Sequence, residues 1–94
     1  MNGNGAKRTF ELGRTLMTRN ALETLHPEDV LASLWRHACC DWGECCEEDA
    51  AENEFALNKY LRLFSVYRDR NGTKFWVITE ADRSSTTVLL PEDY

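Results

Sequence analysis

The sequence predicts an α+β fold in which two or three helices pack on a three-stranded antiparallel meander, with an extra N-terminal strand as an addition. Hydrophobic residues recur at helical spacing up to about residue 59, and from residue 61 onward they alternate with a period of two. The 94 residues fit a single domain covering 1–94. Residues 1–8 are expected to be disordered, because this start is rich in Asn and Gly.

The first third of the chain predicts an extended segment followed by a short helix. Residues 9–17 carry their apolar side chains at Phe10, Leu12 and Leu16, although Gly13 interrupts the run. A short helix is predicted over residues 21–25, with either Thr18 or Asn20 as its N-cap.

Two longer helices are predicted next. Pro27 suits the first turn of a helix that runs to about Ala38, and its apolar residues form one stripe: Val30, Leu31, Leu34, Trp35 and Ala38. Gly43 favours a positive φ angle that breaks the chain direction. A third helix is predicted from Glu47 to Lys59, with Ala51 and Phe55 facing inward.

The last third predicts the meander, with strands over residues 61–67, 74–79 and 86–90. Asn71-Gly72 favours a tight hairpin turn in which both residues take positive φ. Both faces of this sheet are predicted to be apolar. One face carries Phe64, Val66, Phe75, Val77 and Leu89, and the other carries Leu61, Leu63, Tyr67, Trp76, Ile78, Val88 and Leu90. Helices can cover one face, so the other needs the N-terminal segment, the remaining helix or another chain, and a homodimer is one solution.

The net charge of −5 is unevenly distributed. Seven acidic residues fall between Asp41 and Glu54, and no Lys or Arg interrupts them. Such a surface favours a protein partner with a basic surface and disfavours nucleic acid. No signal peptide or membrane-length apolar run is present in the sequence, which predicts a cytoplasmic protein without a membrane partner.

The four cysteines form two adjacent pairs, Cys39–Cys40 and Cys45–Cys46, and His37 precedes them. Thiolates and an imidazole are zinc ligands, so a small zinc-binding module is the alternative hypothesis. However, the pairs are vicinal and the neighbouring carboxylates disfavour thiolates. The favoured expectation is that the cysteines are small apolar residues at a helix end, with no metal and no cofactor.

No nucleophile–base pair or phosphate-binding loop indicates an enzyme, and no catalytic residue is predicted. Residues 80–87 are polar and separate two strands. Asp82 can bond nearby backbone N–H groups, and Arg83 can pair with Glu80 or reach the acidic helix. Trp42 is predicted either to plug the core or to form a binding platform.

Several segments together resemble a known protein family. They are Asp41-Trp42-Gly43, Glu47-Glu48-Asp49, Glu52-Asn53-Glu54, residues 78–84, Thr86-Thr87 and residues 89–94. This pattern, which spans about residues 12–94, is similar to small uncharacterised accessory proteins carried on bacterial plasmids and integrative conjugative elements. The cysteine positions depart from the family pattern, where small, acidic or apolar residues are common.

The resemblance implies a mobile-element accessory protein but no activity. Combined with the acidic surface, it predicts a non-enzymatic protein-interaction module with a regulatory or counter-defence role. The candidate interaction residues are Asp41, Trp42, Glu47, Glu48, Asp49, Glu80, Asp82, Arg83 and Thr86.

Overall fold

The computed structural model describes residues 8–94, so the disorder predicted for residues 1–8 falls, apart from Arg8, outside the described residues. The elements follow in the order β1 (Arg14–Met17), α1 (Arg19–Thr24), α2 (Pro27–Ala38), α3 (Glu47–Lys59), β2 (Leu63–Arg68), β3 (Lys74–Thr79) and β4 (Ser85–Leu89), and a 3₁₀ turn, Pro91–Asp93, ends the chain. The α+β class is confirmed. The sheet, however, is four-stranded and mixed, in the order β1-β4-β3-β2, with β1 parallel to β4.

The helix boundaries follow from local capping chemistry. The Thr18 hydroxyl accepts a hydrogen bond from the Ala21 N–H at 3.1 Å, so Thr18 and not Asn20 is the N-cap of α1. Helices α2 and α3 begin and end where the sequence predicts. Tyr60 ends α3 in a left-handed conformation, with φ of 53°.

The β2–β3 connection differs from the predicted two-residue turn, and Asp69 is the reason. One oxygen of its carboxylate accepts hydrogen bonds from the N–H groups of Asn71 (2.9 Å) and Thr73 (3.1 Å). The loop is therefore longer, Arg68 pairs with Lys74, and only Gly72 takes a positive φ. A two-residue turn at Asn71-Gly72 would pair Arg68 with Phe75, so the observed pairing is shifted by one residue. A shift of one residue exchanges the two faces of β3 relative to β2.

The corrected register places the core on one face of the sheet. Tyr67, Phe75, Val77 and Val88 pack there against α1 and α2. A second cluster joins Trp42, Ala56 and Leu63 beside α3. The prediction for α3 was wrong about Ala51 and Phe55, which are both exposed, Phe55 by 57%. Asn53 and Ala56 are buried instead, because α3 packs through a narrow polar and small-residue face.

The outer edge of β2 is occupied by the rest of the chain. The Asn53 side chain donates to the Phe64 carbonyl (2.6 Å) and accepts from the Phe64 N–H (3.0 Å). The Val66 N–H donates to the Trp42 carbonyl, and the Val66 carbonyl accepts from the Glu44 N–H. Gly43 has the predicted positive φ, and a Cβ there would lie 2.0 Å from the Val66 carbonyl oxygen. The edge therefore offers few groups to another strand.

The opposite face of the sheet carries Phe64, Val66, Trp76, Ile78 and Leu89, and within residues 8–94 none of these side chains belongs to the two core clusters that the α-helices form with the sheet. The C-terminal Tyr94 packs edge-on against Trp76, with ring centroids 5.7 Å apart, and gives partial cover. Within residues 8–94, no helix combines the length and apolar character needed to cross a membrane.

Candidate functional site

A chain of buried polar side chains runs through the core beneath α2. His37 Nδ1 lies 2.5 Å from the Ser65 hydroxyl oxygen, and its Nε2 lies 2.9 Å from that of Thr79. Thr79 and Thr86 are cross-strand partners whose hydroxyl oxygens are 2.7 Å apart. All four side chains are fully buried. Sequence patterning missed this network, because a strand position occupied by Ser or Thr in an apolar run does not indicate burial.

Thr86, at the end of this series of hydrogen-bonded side chains, determines which atom of each pair carries the hydrogen. Thr86 donates to the Leu12 carbonyl oxygen at 2.7 Å, and a carbonyl can only accept. Thr86 must then accept from Thr79, so Thr79 must accept from His37. The network thus assigns the neutral tautomer of His37 with hydrogen on Nε2, and Ser65 donates to Nδ1.

The surroundings of His37 hold it neutral. Burial lowers its pKa from 6.5 to about 3, and the nearby positive charge of Arg83 adds to the shift. Phe10 and Trp42 contact the ring edge-on, with centroid distances of 5.1 and 5.8 Å. The Ser65–His37 pair resembles a nucleophile with its base. Because both are fully buried, a substrate cannot reach them in this conformation, and the pair serves packing.

Trp42 and Thr86, two of the predicted interaction residues, lie in the interior. Trp42 is buried and its indole N–H donates to Glu54 at 3.0 Å. Arg8 pairs with the same carboxylate, and the hydrogen bonds from Arg8 and Trp42 lower the pKa of Glu54 to about 2. Of the two predicted roles of Trp42, the structure favours the core plug.

Arg83 joins the β3–β4 loop to the C-terminal end of α3. Its guanidinium donates to the carbonyl oxygens of Leu61 (2.8 Å), Glu80 (3.2 Å), Ala81 (3.0 Å) and Ala56 (3.1 Å). A cation suits the carbonyl end of a helix. The predicted contact with Glu80 is therefore made to its backbone, while the Glu80 carboxylate pairs with Arg62 at 3.4 Å.

Asp82 is exposed and accepts the Ser84 N–H at 3.0 Å, which builds the turn as predicted. Asp82 and Arg83 also line an open cleft of about 690 Å³, together with Arg8, Phe10 and Tyr60. Arg83 lies over the rings of Phe10 and Tyr60, at 5.8 and 5.0 Å. Among the residues that line the cleft, Arg83 is therefore already in contact with Phe10 and Tyr60.

The acidic run divides into two sets. Asp41, Glu44 and Glu54 form ion pairs with Arg36, Arg68 and Arg8. The other set, called the acidic turn below, comprises Glu47, Glu48, Asp49 and Glu52. Its members are exposed, and none forms an ion pair with the described residues. The acidic turn therefore holds three of the predicted interaction residues, Glu47, Glu48 and Asp49, at positions that a partner can touch.

The proposed zinc ligands are not gathered into one site. His37 is committed to Ser65 and Thr79, and the Cys45 thiol donates to the Phe64 carbonyl at 3.2 Å. Burial raises the pKa of Cys45 to about 11 and also raises that of Cys40, which disfavours thiolates. Residues 8–94 contain no group of three or more His, Cys, Asp or Glu side chains placed to hold a metal.

An exposed apolar feature on α1 and α2 was not among the predicted sites. Helix α2 has a wider stripe than the sheet covers: Val30 and Ala38 are buried, but Leu31 and Trp35 are 68% and 63% exposed. Leu22 on α1 is 66% exposed beside them. Between β1, α1 and α2 lies an apolar groove of about 400 Å³, lined by Thr15, Met17, Leu22, Leu25, Pro27, Val30, Leu31 and Leu34.

The groove lies next to β1, an edge of the sheet with which no further strand of residues 8–94 pairs. The N–H groups of Arg14 and Thr18 donate to β4, so by alternation the backbone groups of Thr15 and Met17 point away from the sheet. The available sequence signal was the length of the α2 stripe, whose five positions exceed what one face of a short sheet can cover. No family model, curated protein or solved structure matches this chain.

Proposed function

We propose that this protein is a non-enzymatic protein-interaction module that binds its partner in the apolar groove between β1, α1 and α2. The observation that carries the proposal is the exposure of Leu22 and Leu31, which line the groove, and of Trp35, which follows Leu31 by one helical turn on the same side of α2. A contiguous apolar patch of this kind marks protein interfaces on small domains. Tryptophan is also among the residues that contribute most to binding energy.

The groove combines two means of binding. Its floor contains Met17, Leu25, Val30 and Leu34, which can receive apolar side chains. Its border is the free edge of β1, where backbone groups can pair with an extended segment. Strand addition beside an apolar groove is a recurrent mode of peptide recognition, because backbone pairing gives affinity and side-chain pockets give specificity.

The acidic turn supports a partner that is basic outside the groove. Its four carboxylates lack ion pairs within the described chain, and their attraction to Lys or Arg would be screened by salt. A role as a mobile-element accessory protein in regulation or counter-defence belongs to the same proposal and is motivated by the sequence resemblance. The zinc-binding alternative gains no support from the positions of its candidate ligands.

Affinity capture with matched variants tests the proposal. Immobilised wild-type protein and a Trp35→Ala variant are exposed to an extract of cells that carry the gene, and retained proteins are identified by mass spectrometry. The identified partner is then purified, and its dissociation constant is measured by calorimetry. We expect Trp35→Ala to weaken binding about 30-fold, as for a residue that contributes about 2 kcal/mol.

Phe55→Ala is the control, because Phe55 is similarly exposed but lies on α3, outside the groove. We expect this variant to bind like the wild type. Equal losses for both variants, or a partner whose binding is unaffected by Trp35→Ala, would show that the apolar surface of α1 and α2 at the groove is not the binding surface.

A further inference from the structure

We infer that the occupant of the groove edge is a second copy of this chain, which pairs its β1 antiparallel to the first β1 about a two-fold axis at Leu16. This inference rests on the proposed function and names the partner at that surface. The result is a continuous eight-stranded sheet with two copies of the helical layer on one side. The edge at β2 is occupied by Asn53 and the Trp42–Glu44 segment, so β1 is the edge open to such pairing.

The direction of the backbone groups restricts the register. Only Thr15 and Met17 point their N–H and C=O groups outward from β1. An antiparallel pair that uses both of them must place Thr15 opposite Met17 of the second copy. Leu16 then faces Leu16 of the second copy across a closely spaced, non-hydrogen-bonded pair. Leu16 is 41% exposed in the single chain, so this contact removes an apolar side chain from water.

Charge complementarity favours the same register. It places Arg14 of the second copy opposite Thr18, whose hydroxyl donates to the Asp93 carboxylate at 2.6 Å. Arg14 is exposed and forms no ion pair with the described residues. Because the arginine side chain is long, Arg14 of the second copy can extend past Thr18 and reach the Asp93 carboxylate. Two-fold symmetry repeats this Arg14–Asp93 pair, which gives two equivalent ion pairs per dimer.

Pairing also continues the groove. Directly opposed residues of two paired strands point to the same face, so Thr15 and Met17 of the second copy extend the groove floor beneath Leu22 and Leu31. The segment of the chain that forms this surface has no net charge when His is neutral. Residues 8–36 carry four Arg and four acidic side chains, so the net charge of −5 does not oppose association there.

The mass of the full-length protein across a concentration series, measured by analytical ultracentrifugation, tests the inference. We expect a reversible dimer with twice the 10.9 kDa mass of one chain. Thr15→Pro removes the outward N–H without touching the bonds to β4, and Pro is tolerated at such edge positions. We expect it to weaken the dimer at least about tenfold. Thr15→Val keeps the N–H and the β-branch, and we expect it to dimerise like the wild type.

The Arg14–Asp93 pair is tested separately by salt. We expect the wild-type dimer to weaken as salt rises, and Arg14→Gln to be weaker at low salt with little further salt dependence. Circular dichroism and thermal unfolding confirm that each variant is folded. A wild-type monomer at all concentrations, or a Thr15→Pro variant that dimerises as well as Thr15→Val, overturns the inference.

The two proposals fail on different results. A monomer that still binds another protein through Trp35 overturns the dimer and leaves the interaction module standing. A dimer that is lost in Thr15→Pro, with no other protein captured through the groove, supports the dimer and removes the wider function. Loss of the dimer in Thr15→Pro but not in Thr15→Val supports the strand pairing itself.

Discussion

His37 should make the stability of this protein fall with decreasing pH more steeply than that of a variant without it. The buried ring is neutral in the folded chain, where burial lowers its pKa from 6.5 to about 3. In the unfolded chain the ring is solvated and gains its proton near pH 6.5. Between these values the unfolded state binds one more proton than the folded state. Stability is therefore fully present above pH 6.5 and is lost as pH falls toward 3.

The magnitude follows from the difference between the two pKa values. Each pH unit inside this window costs about 1.4 kcal/mol, so lowering the pH from 7 to 4.5 removes about 2.5 kcal/mol through His37. Carboxylates with lowered pKa values, such as Glu54, also lose stability in acid. They are common to the wild type and a His37→Gln variant, so the difference between the two pH profiles isolates His37.

Urea unfolding of both proteins from pH 7 to pH 4.5, followed by tryptophan fluorescence, measures this difference. His37→Gln is less stable at neutral pH because the Ser65 and Thr79 hydroxyls lose a matched partner, but its profile should be flatter. Parallel profiles would refute the assignment of a buried neutral ring. Nitrogen NMR of the wild type gives an independent check, since the network requires the hydrogen on Nε2 and no titration of His37 above pH 5.

Three further outcomes follow from contacts outside the His37 network. Asn53→Ala should lower the free energy of unfolding in urea by about 2–3 kcal/mol, because it leaves two backbone groups of β2 without partners. The control Asn58→Ala, at an exposed position of α3, should change it little, and equal effects of the two variants would contradict the edge contact. Asp69→Ala should lower the free energy of unfolding by about 1–3 kcal/mol, since three backbone N–H groups lose their acceptor. Unchanged stability would show that the β2–β3 loop forms without the Asp69 carboxylate. Alkylation followed by mass spectrometry should modify exposed Cys46 before Cys45, whose pKa is raised to about 11, and the reverse order would contradict the described burial.

Element types and boundaries were predictable because they depend on local chemistry. Pro27 and Glu28 set the start of α2, and the acidic first turn set the start of α3. The strand register was not predictable in this way. Asn71-Gly72 favours a tight turn, but Asp69 collects N–H groups from its own loop and from His26 at 3.1 Å. A contact from a residue more than 40 positions away contributes to the longer loop, and no local pattern encodes it.

The candidate site was predicted less well, for two physical reasons. Polar residues in a pattern were interpreted as surface, whereas Thr86 and Arg83 satisfy buried or terminal backbone groups of the fold. Apolar residues were interpreted as core, whereas Leu31 and Trp35 remain exposed. Which part of an apolar stripe is buried depends on the width of the layer against which it packs, and that width is a tertiary property.

The two edges of the sheet differ in a way that connects these exposed residues to function. A free strand edge is a liability, since it can pair with any other chain, and proteins commonly block such edges. Here β2 is blocked by Asn53 and by the segment that contains Gly43, so the chain has the means to protect an edge. Within residues 8–94 it leaves β1 without a second strand, and the groove beside β1 leaves Leu22 and Leu31 exposed. A free strand edge and exposed apolar side chains are each unfavourable alone. One further strand beside β1 can pair the backbone groups of the edge and also cover apolar side chains at the groove. Their common position therefore favours a binding surface over two unrelated imperfections of the fold.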